Sequence, residues 1–183
     1  MSYVENAIQI ATKAHEGQQD KAGKPYIEHP LRVMAAMQTD QERAAAVLHD
    51  VLEDTDTTAA HLLQAGIPER VVIAVKALTK RPGEPYADFV ARCADDQIAR
   101  AVKTADLKDN MDLSRLPVVT EKDRARTEKY AAALAQIDEH ERYLDSWEMD
   151  CRPPTTEHGV TAGKKYRKKD DDKPADDGGS KDS

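Results

Sequence analysis

The chain has 183 residues, of which 39% are hydrophobic, 33% charged and only 4% aromatic, and its net charge is −7. So few aromatics argue against a β-sandwich or barrel, and Ala-, Glu- and Lys-rich text favours helices. The negative balance excludes a protein whose whole surface grips a nucleic-acid backbone, which needs a basic face. No apolar run reaches the roughly 18 residues of a membrane span.

The first predicted helix starts at Ser2, because Ser2 followed by Glu5 is a capping-box pattern. Val4, Ile8, Ala11 and Ala14 recur at helical spacing, and Gly17 closes the run. This N-terminus turns amphipathic at once and has no secretory leader pattern, so the expected location is cytoplasmic. Residues 17–28 read as a loop punctuated by Gly23 and Pro25. His29-Pro30 opens a second helix through Val33 and Met37, with Met34 and Met37 as core fillers. Asp40 is expected to cap a third, running unbroken through Ala44, Val47, Leu48 and Val51 to about residue 54.

Thr57 is expected to cap a fourth helix ending at Gly66, and Pro68 to start a fifth through Val71, Val75 and Leu78. Residues 79–85 form a basic loop, and residues 86–94 and 97–113 two more helices. Thr120 opens a long last helix to about Met149, with Tyr130, Leu134, Ile137 and Leu144 as its apolar stripe. Trp147 near its end reads as packing or as a contact with a second copy, so a homo-oligomer is left open. The expected domain therefore covers residues 1–151. Residues 152–183 carry eight positive and seven negative side chains and almost no large apolar ones. Such a stretch buries too little surface to offset its ordering entropy, so a disordered charged tail is expected, whose basic block at 164–169 reads as solvated. Cys93 and Cys151 form no CxxC pair and read as free thiols. His61, His140 and His158 have no partner pattern and read as surface residues.

The chemical signal is His49-Asp50 followed by Glu53-Asp54. On one helix, residues four apart share a face, so His49 is expected over Glu53 and Asp50 over Asp54. A purely structural helix seldom gathers so many groups that resist desolvation beside its apolar face. A divalent first-row ion would resolve the conflict, because imidazole and carboxylate both suit it. The His-Asp dipeptide alone is common and specifies little. Two distant elements add to this signal: His29, at a helix start after a polar loop, and Asp106, whose apolar neighbours place it facing inward, with Asn110 one turn later.

Taken in order, five segments resemble the hydrolase domain of the RelA/SpoT family, and more closely its stand-alone small alarmone hydrolases. They are Ala14-His15-Glu16-Gly17-Gln18, Gly23 to Pro30, Leu48 to Thr55, Leu78-Thr79-Lys80, and Ala105-Asp106 with Asn110-Met111. The likeness spans residues 3–140. It implies an all-α HD-domain helical bundle binding one ion, usually manganese, through His29, His49, Asp50 and Asp106. It implies release of pyrophosphate from the 3′ position of guanosine tetra- and pentaphosphate. In that family Glu53 and Asp54 match the acidic pair that positions and deprotonates water. Asn110 matches a nucleotide contact, and Lys21 and Tyr26 match positions beside the base. His15 is expected to order the loop. Lys24, Lys80, Arg81, Lys103, Lys108 and Arg115 are candidate phosphate contacts, Lys103 foremost.

Two departures stand out: Asp20 replaces a basic residue, and Leu107-Lys108-Asp109-Asn110 replaces Arg-x-His-Asn. They leave the metal chemistry intact, and two other readings stay open, the first of them motivated by these departures. One is an HD phosphohydrolase for another (deoxy)nucleotide or phosphorylated metabolite; the other is a non-catalytic metal- or nucleotide-binding module. The family's synthetase half has no counterpart in residues 152–183.

Overall fold

The computed structural model describes residues 2–150, with side chains through residue 147. The expected tail, Cys151, His158 and the basic block at 164–169 lie outside the described residues. α1 (Tyr3–Ala14) begins on the expected capping box, the Ser2 hydroxyl accepting from the Glu5 amide. α2 (Glu28–Ala35) places Pro30 in its first turn, where a missing amide costs nothing. α3 (Asp40–Leu48) is capped by Thr39 rather than Asp40, because Thr39 with Glu42 completes the reciprocal box. α5 (Ala59–Gln64) likewise takes Thr58 rather than Thr57, and Gly66 at φ 81° ends it.

The third helix does not run through to residue 54 as the sequence suggested. It stops at Leu48, turns at His49-Asp50, and resumes as the single-turn α4 (Val51–Asp54). α6 (Glu69–Leu78), α7 (Tyr86–Ala94) and α8 (Gln97–Met111) follow, with the short 3-10 turn Leu113–Arg115, and α9 (Glu121–Asp150) closes the described chain. Among the described residues there is no strand, only the isolated bridge Gln19–Pro25, and no helix is long and apolar enough to cross a membrane.

α3 sits at the centre, packed against α1, α2, α6 and α8. Every residue from Ala44 to Leu48 is fully buried, which explains its surround of helices: a helix apolar on all sides has no face to give to water. Each capping box contributes about 1 kcal/mol, whereas burying one side chain such as Leu48 contributes about 1.5–3 kcal/mol, so packing dominates. A second cluster joins Val90 and Ala94 of α7, Leu107 of α8, and Ala133 and Ile137 of α9. The expected stripe on α9 thus holds at Tyr130, Leu134 and Ile137 and then runs out: Leu144 is 37% exposed and Trp147 54%. Trp147 meets Tyr143 edge-on at 6.1 Å rather than the core.

The loop after α6 is held by Arg92. Its guanidinium donates to the carbonyls of Lys76, Ala77 and Thr79, which have no partner inside the helix, and to the Glu84 carboxylate at 2.8 Å. The Arg92 hydrogen bond, helped by the Arg81 amide, lowers the Glu84 carboxyl from 4.5 to about 2. A lowered folded-state pKa means the contribution is whole above the unfolded value and is lost as pH falls through the folded one. Thermal melts should therefore show wild type more stable than Glu84→Gln above pH 4.5, with the difference shrinking toward pH 2. A difference constant across that window would remove Glu84 from the acid response.

Candidate metal centre

The interruption between α3 and α4 aims two neighbouring side chains at one point. On a regular helix consecutive side chains diverge by about 100°. At the turn, with Asp50 at φ −99° and ψ −7°, His49 Nε2 and Asp50 Oδ2 stand 3.0 Å apart. His29 on α2 and Asp106 on α8 approach the same point. His29 Nε2 lies 3.2 Å from Asp106 Oδ1 and 3.9 Å from Asp50 Oδ2, and His49 Nε2 lies 3.6 Å from Asp106 Oδ1. The structure thus brings His29, His49, Asp50 and Asp106 together. The first three alone already form a group whose ligand atoms all lie within 4.8 Å of one another. Asp106 continues the Ile98–Val102 stripe of α8 by one more turn, which explains its burial among apolar residues.

Each imidazole is held in one orientation. His49 Nδ1 bonds the Ala46 carbonyl at 2.6 Å, and His29 Nδ1 bonds Asp109 Oδ2 at 2.7 Å. Both rings therefore turn Nε2 inward with its lone pair available, the arrangement seen when the other ring nitrogen carries the proton. His49 Nε2 is buried and has no hydrogen-bond partner, although two carboxylates are close. A buried polar atom left so is costly unless something else completes it. Two imidazole nitrogens and two carboxylate oxygens fit a divalent cation in donor type and in spacing.

The electrostatics point the same way. Burial works against ionised Asp106, but the Lys103 ammonium and the two histidines hold its carboxyl well below the usual range. Burial likewise opposes ionised Asp50, and His49 with the Tyr26 hydroxyl brings it to about 2. Burial also opposes an imidazolium at His49, yet Asp50 and Asp106 raise its pKa well above the ordinary value. Two ionised carboxylates in a buried spot demand positive charge there, from protons or from an ion.

Lys103 and Asn110, expected to touch substrate, both support Asp106. Lys103 Nζ donates to Asp106 Oδ2 at 2.9 Å, with Phe89 beneath it, and Asn110 Nδ2 donates to Oδ1 at 2.6 Å. Tyr26 donates its hydroxyl to Asp50 Oδ2 at 2.5 Å. All three also line a cavity of about 580 Å³ that opens on the four-residue cluster. Of the basic residues singled out in the sequence, Lys21, Lys80 and Arg115 also stand on its wall; Lys24, Arg81 and Lys108 do not. Arg32, Arg126 and Lys129 complete the basic lining, and sequence reasoning missed all three. On α9, Arg126 lies four residues before Tyr130 and shares its face, while Lys129 flanks that face; all three line the cavity.

The acidic pair separates. Glu53 lines the cavity, its Oε2 accepting from the Lys80 amide at 3.0 Å. Asp54 is not on the wall; its carbonyl accepts from Gln18. Burial and the charges of Asp50 and Glu53 raise the Asp54 carboxyl. His15, buried, bonds Gln18 through Nδ1 at 2.8 Å and lies 4.9 Å from the Tyr26 ring, so it orders the loop. His61 helps cap α5, and His140 lies 3.6 Å from Asp95.

An all-helical bundle with a two-histidine, two-aspartate cluster at a helix break defines an HD-type metal-binding domain. The chain belongs to that family: the HD domain model matches residues 7–134. Over 120 residues it is 35% identical to a guanosine-3′,5′-bis(diphosphate) 3′-pyrophosphohydrolase of Aquifex aeolicus, covering 59% of this chain and 17% of that protein. The corresponding Vibrio cholerae protein is 33% identical over 116 residues, covering 56% and 16%. The bifunctional (p)ppGpp synthase/hydrolase SpoT of Escherichia coli K12 is 50% identical over 56 residues, covering 28% and 8%. The chain thus spans less than a fifth of the length of these relatives. A solved structure, described as a metazoan ortholog of SpoT that hydrolyzes ppGpp, shares the fold at TM-score 0.62 and 23% identity, over 79% of this chain and 96% of that one.

Proposed function

We propose that this chain is a metal-dependent pyrophosphohydrolase. It acts on the 3′-pyrophosphate of guanosine tetra- and pentaphosphate, or of a close relative such as the adenosine form. The observation that carries the reading is one cavity that joins three features: the His29–His49–Asp50–Asp106 cluster, the carboxylate of Glu53, and a wall of cations. Cations on the wall suit a substrate bearing several phosphates. His29, His49, Asp50 and Asp106 would hold a divalent ion, which we take to be Mn²⁺. Bound there, the ion supplies the Lewis acidity that makes water a nucleophile near neutral pH. Glu53 accepts the proton from the attacking water. The new bond joins water oxygen to the first 3′ phosphorus, the bond from that phosphorus to the sugar 3′ oxygen breaks, and the oxygen leaves as a hydroxyl with the proton that Glu53 took from the water. The products are the 5′ nucleotide and pyrophosphate. Lys21 and Tyr26 flank the base side, and Lys103 and Asn110 fix Asp106 while facing the phosphates.

Asp20 favours a second reading at the level of substrate. It places a carboxylate on the cavity wall, its Oδ1 bound to the amides of Ala22 and Lys24, where the resembled family carries a cation. An end-point assay with Mn²⁺ against ppGpp, ppApp and the common (d)NTPs, with products resolved by ion exchange, separates the two. Pyrophosphate appearing with GDP or ADP supports the alarmone reading and names the base. Turnover of only a 5′ triphosphate or a monophosphate replaces it with another HD phosphohydrolase, and saturable binding without turnover replaces it with a binding module. We assign the cytoplasm as the compartment, a reducing one that suits the free, buried Cys93, whose thiol burial pushes up to about 12. Residues 1–151 are proposed as the working domain, so deletion of 152–183 should leave turnover unchanged in the same assay; a large drop would give that segment a part in catalysis.

A further inference from the structure

His29 and His49 are held by different kinds of acceptor. His49 leans on a neutral backbone carbonyl, that of Ala46. His29 leans on a carboxylate, Asp109, which is itself clamped between two arginines. Asp109 Oδ1 accepts from Arg32 Nε at 2.9 Å, and Oδ2 accepts from Arg32 Nη2 at 3.2 Å and from Arg115 Nη2 at 3.1 Å. The Asp109 carbonyl also accepts from Arg115. The side chain of Asp109 is only 15% exposed.

The placement follows from helix geometry. On α2, Arg32 lies three residues after His29; on α8, Asp109 lies three residues after Asp106. Residues three apart share a helix face. Two facing helices thus present one ligand–support pair each, and the pairs interlock: His29 meets Asp106 through Nε2 and Asp109 through Nδ1. A carboxylate acceptor fixes the ring tautomer and makes the opposite nitrogen a better donor to a metal.

We propose that Asp109 is a positioning residue of the metal centre: clamped by Arg32 and Arg115, its carboxylate keeps the proton on His29 Nδ1 and turns Nε2 toward the ion. Asp109 need not touch substrate, and it acts only through His29. A position that departs from the resembled family's pattern is then a support for the metal site. This inference rests on the metal-centre reading above.

The test uses the full chain and Mn²⁺ alone. Isothermal titration compares wild type, Asp109→Ala and Asp109→Asn, and ¹⁵N–¹H correlation spectra report the His29 tautomer before metal is added. Asp109→Ala should bind Mn²⁺ about 10–100-fold more weakly, the range for removal of such a support. His29 should lose its Nδ1–H preference in the same variant. Asp109→Asn keeps an oxygen acceptor but removes the charge, so the tautomer should persist and the affinity fall by a smaller factor. A merely structural role would lower the melting temperature without moving the tautomer. Wild-type affinity in Asp109→Ala, or Nδ1–H retained there, overturns the proposal. Where Asp109→Ala does not fold, wild-type affinity in Asp109→Asn overturns it. A wild type that binds no Mn²⁺ instead defeats the metal-centre reading, and the spectra still decide the tautomer.

Discussion

Asp106→Ala is expected to lose both divalent-metal binding and turnover. Asp106 brings Oδ1 to both inward-facing imidazole nitrogens, and the next carboxylate on α8, Asp109, is engaged on the Nδ1 side of His29. The same change leaves the ammonium of Lys103 buried without its anion. Breaking a buried pair from one side costs about 3–5 kcal/mol, so this variant will also melt earlier. Asp106→Asn separates the two effects. It keeps the shape, and its amide oxygen can still accept from Asn110 or Lys103, but the anionic ligand is gone. Titration with Mn²⁺ should give no saturable heat with either variant, while circular dichroism shows Asp106→Asn folded. Wild-type affinity in a folded Asp106→Asn would exclude Asp106 from the ligand set.

Glu53→Gln is expected to keep the ion and lose rate. Glu53 lines the cavity, but its carboxylate is engaged by the Lys80 amide rather than by the two histidines. Its structural bond, accepted from the Lys80 amide, can be accepted equally by a glutamine oxygen. On the proposed reading, what disappears is the base that takes the proton from water, a role worth about 10²–10⁴ in rate. Single-turnover kinetics should show that loss in the chemical step with Mn²⁺ stoichiometry unchanged. Loss of metal as well would make Glu53 a ligand. Asp54→Asn should cost far less, because Asp54 lies off the cavity wall. Equal losses from the two would restore the acidic pair as a unit.

Most of the fold was legible because its signals are local. Ser2 and Glu5 announce a capping box by spacing alone, and Gly66 and Pro68 mark one helix end and the next start. Where two Thr or Asp residues adjoin, as at Thr39-Asp40 and Thr57-Thr58, spacing alone does not choose the cap; the residue three positions on decides. The break at His49-Asp50 was not legible. Helical periodicity continues across it through Leu48, Val51 and Leu52, and only three-dimensional packing shows that a turn is needed to aim both side chains at one point.

The site was legible in its residue types and less so in its division of labour. Two histidines and two aspartates from three separate segments could be gathered by type and by resemblance. That Lys103 and Asn110 brace Asp106 follows from i+3 and i+4 spacing on α8, a signal present in the sequence but overridden by reading one as a phosphate contact and the other as a nucleotide contact. Asp109 was read by what it replaced rather than by what it could reach. Its partners Arg32 and His29 lie about 80 positions earlier, and only the packing of α2 against α8 brings them within bonding distance. The cations of α9 were hidden for the same reason: periodicity shows which face of a helix is apolar, not which cavity its flank borders.

The most direct test of the metal centre is an anomalous difference map from crystals soaked in Mn²⁺, recorded at the manganese edge. A single peak bounded by His29 Nε2, His49 Nε2 and the carboxylates of Asp50 and Asp106 is the result predicted here. A map with no peak at that point, or with the ion held by Glu53 and Asp54 instead, would contradict it.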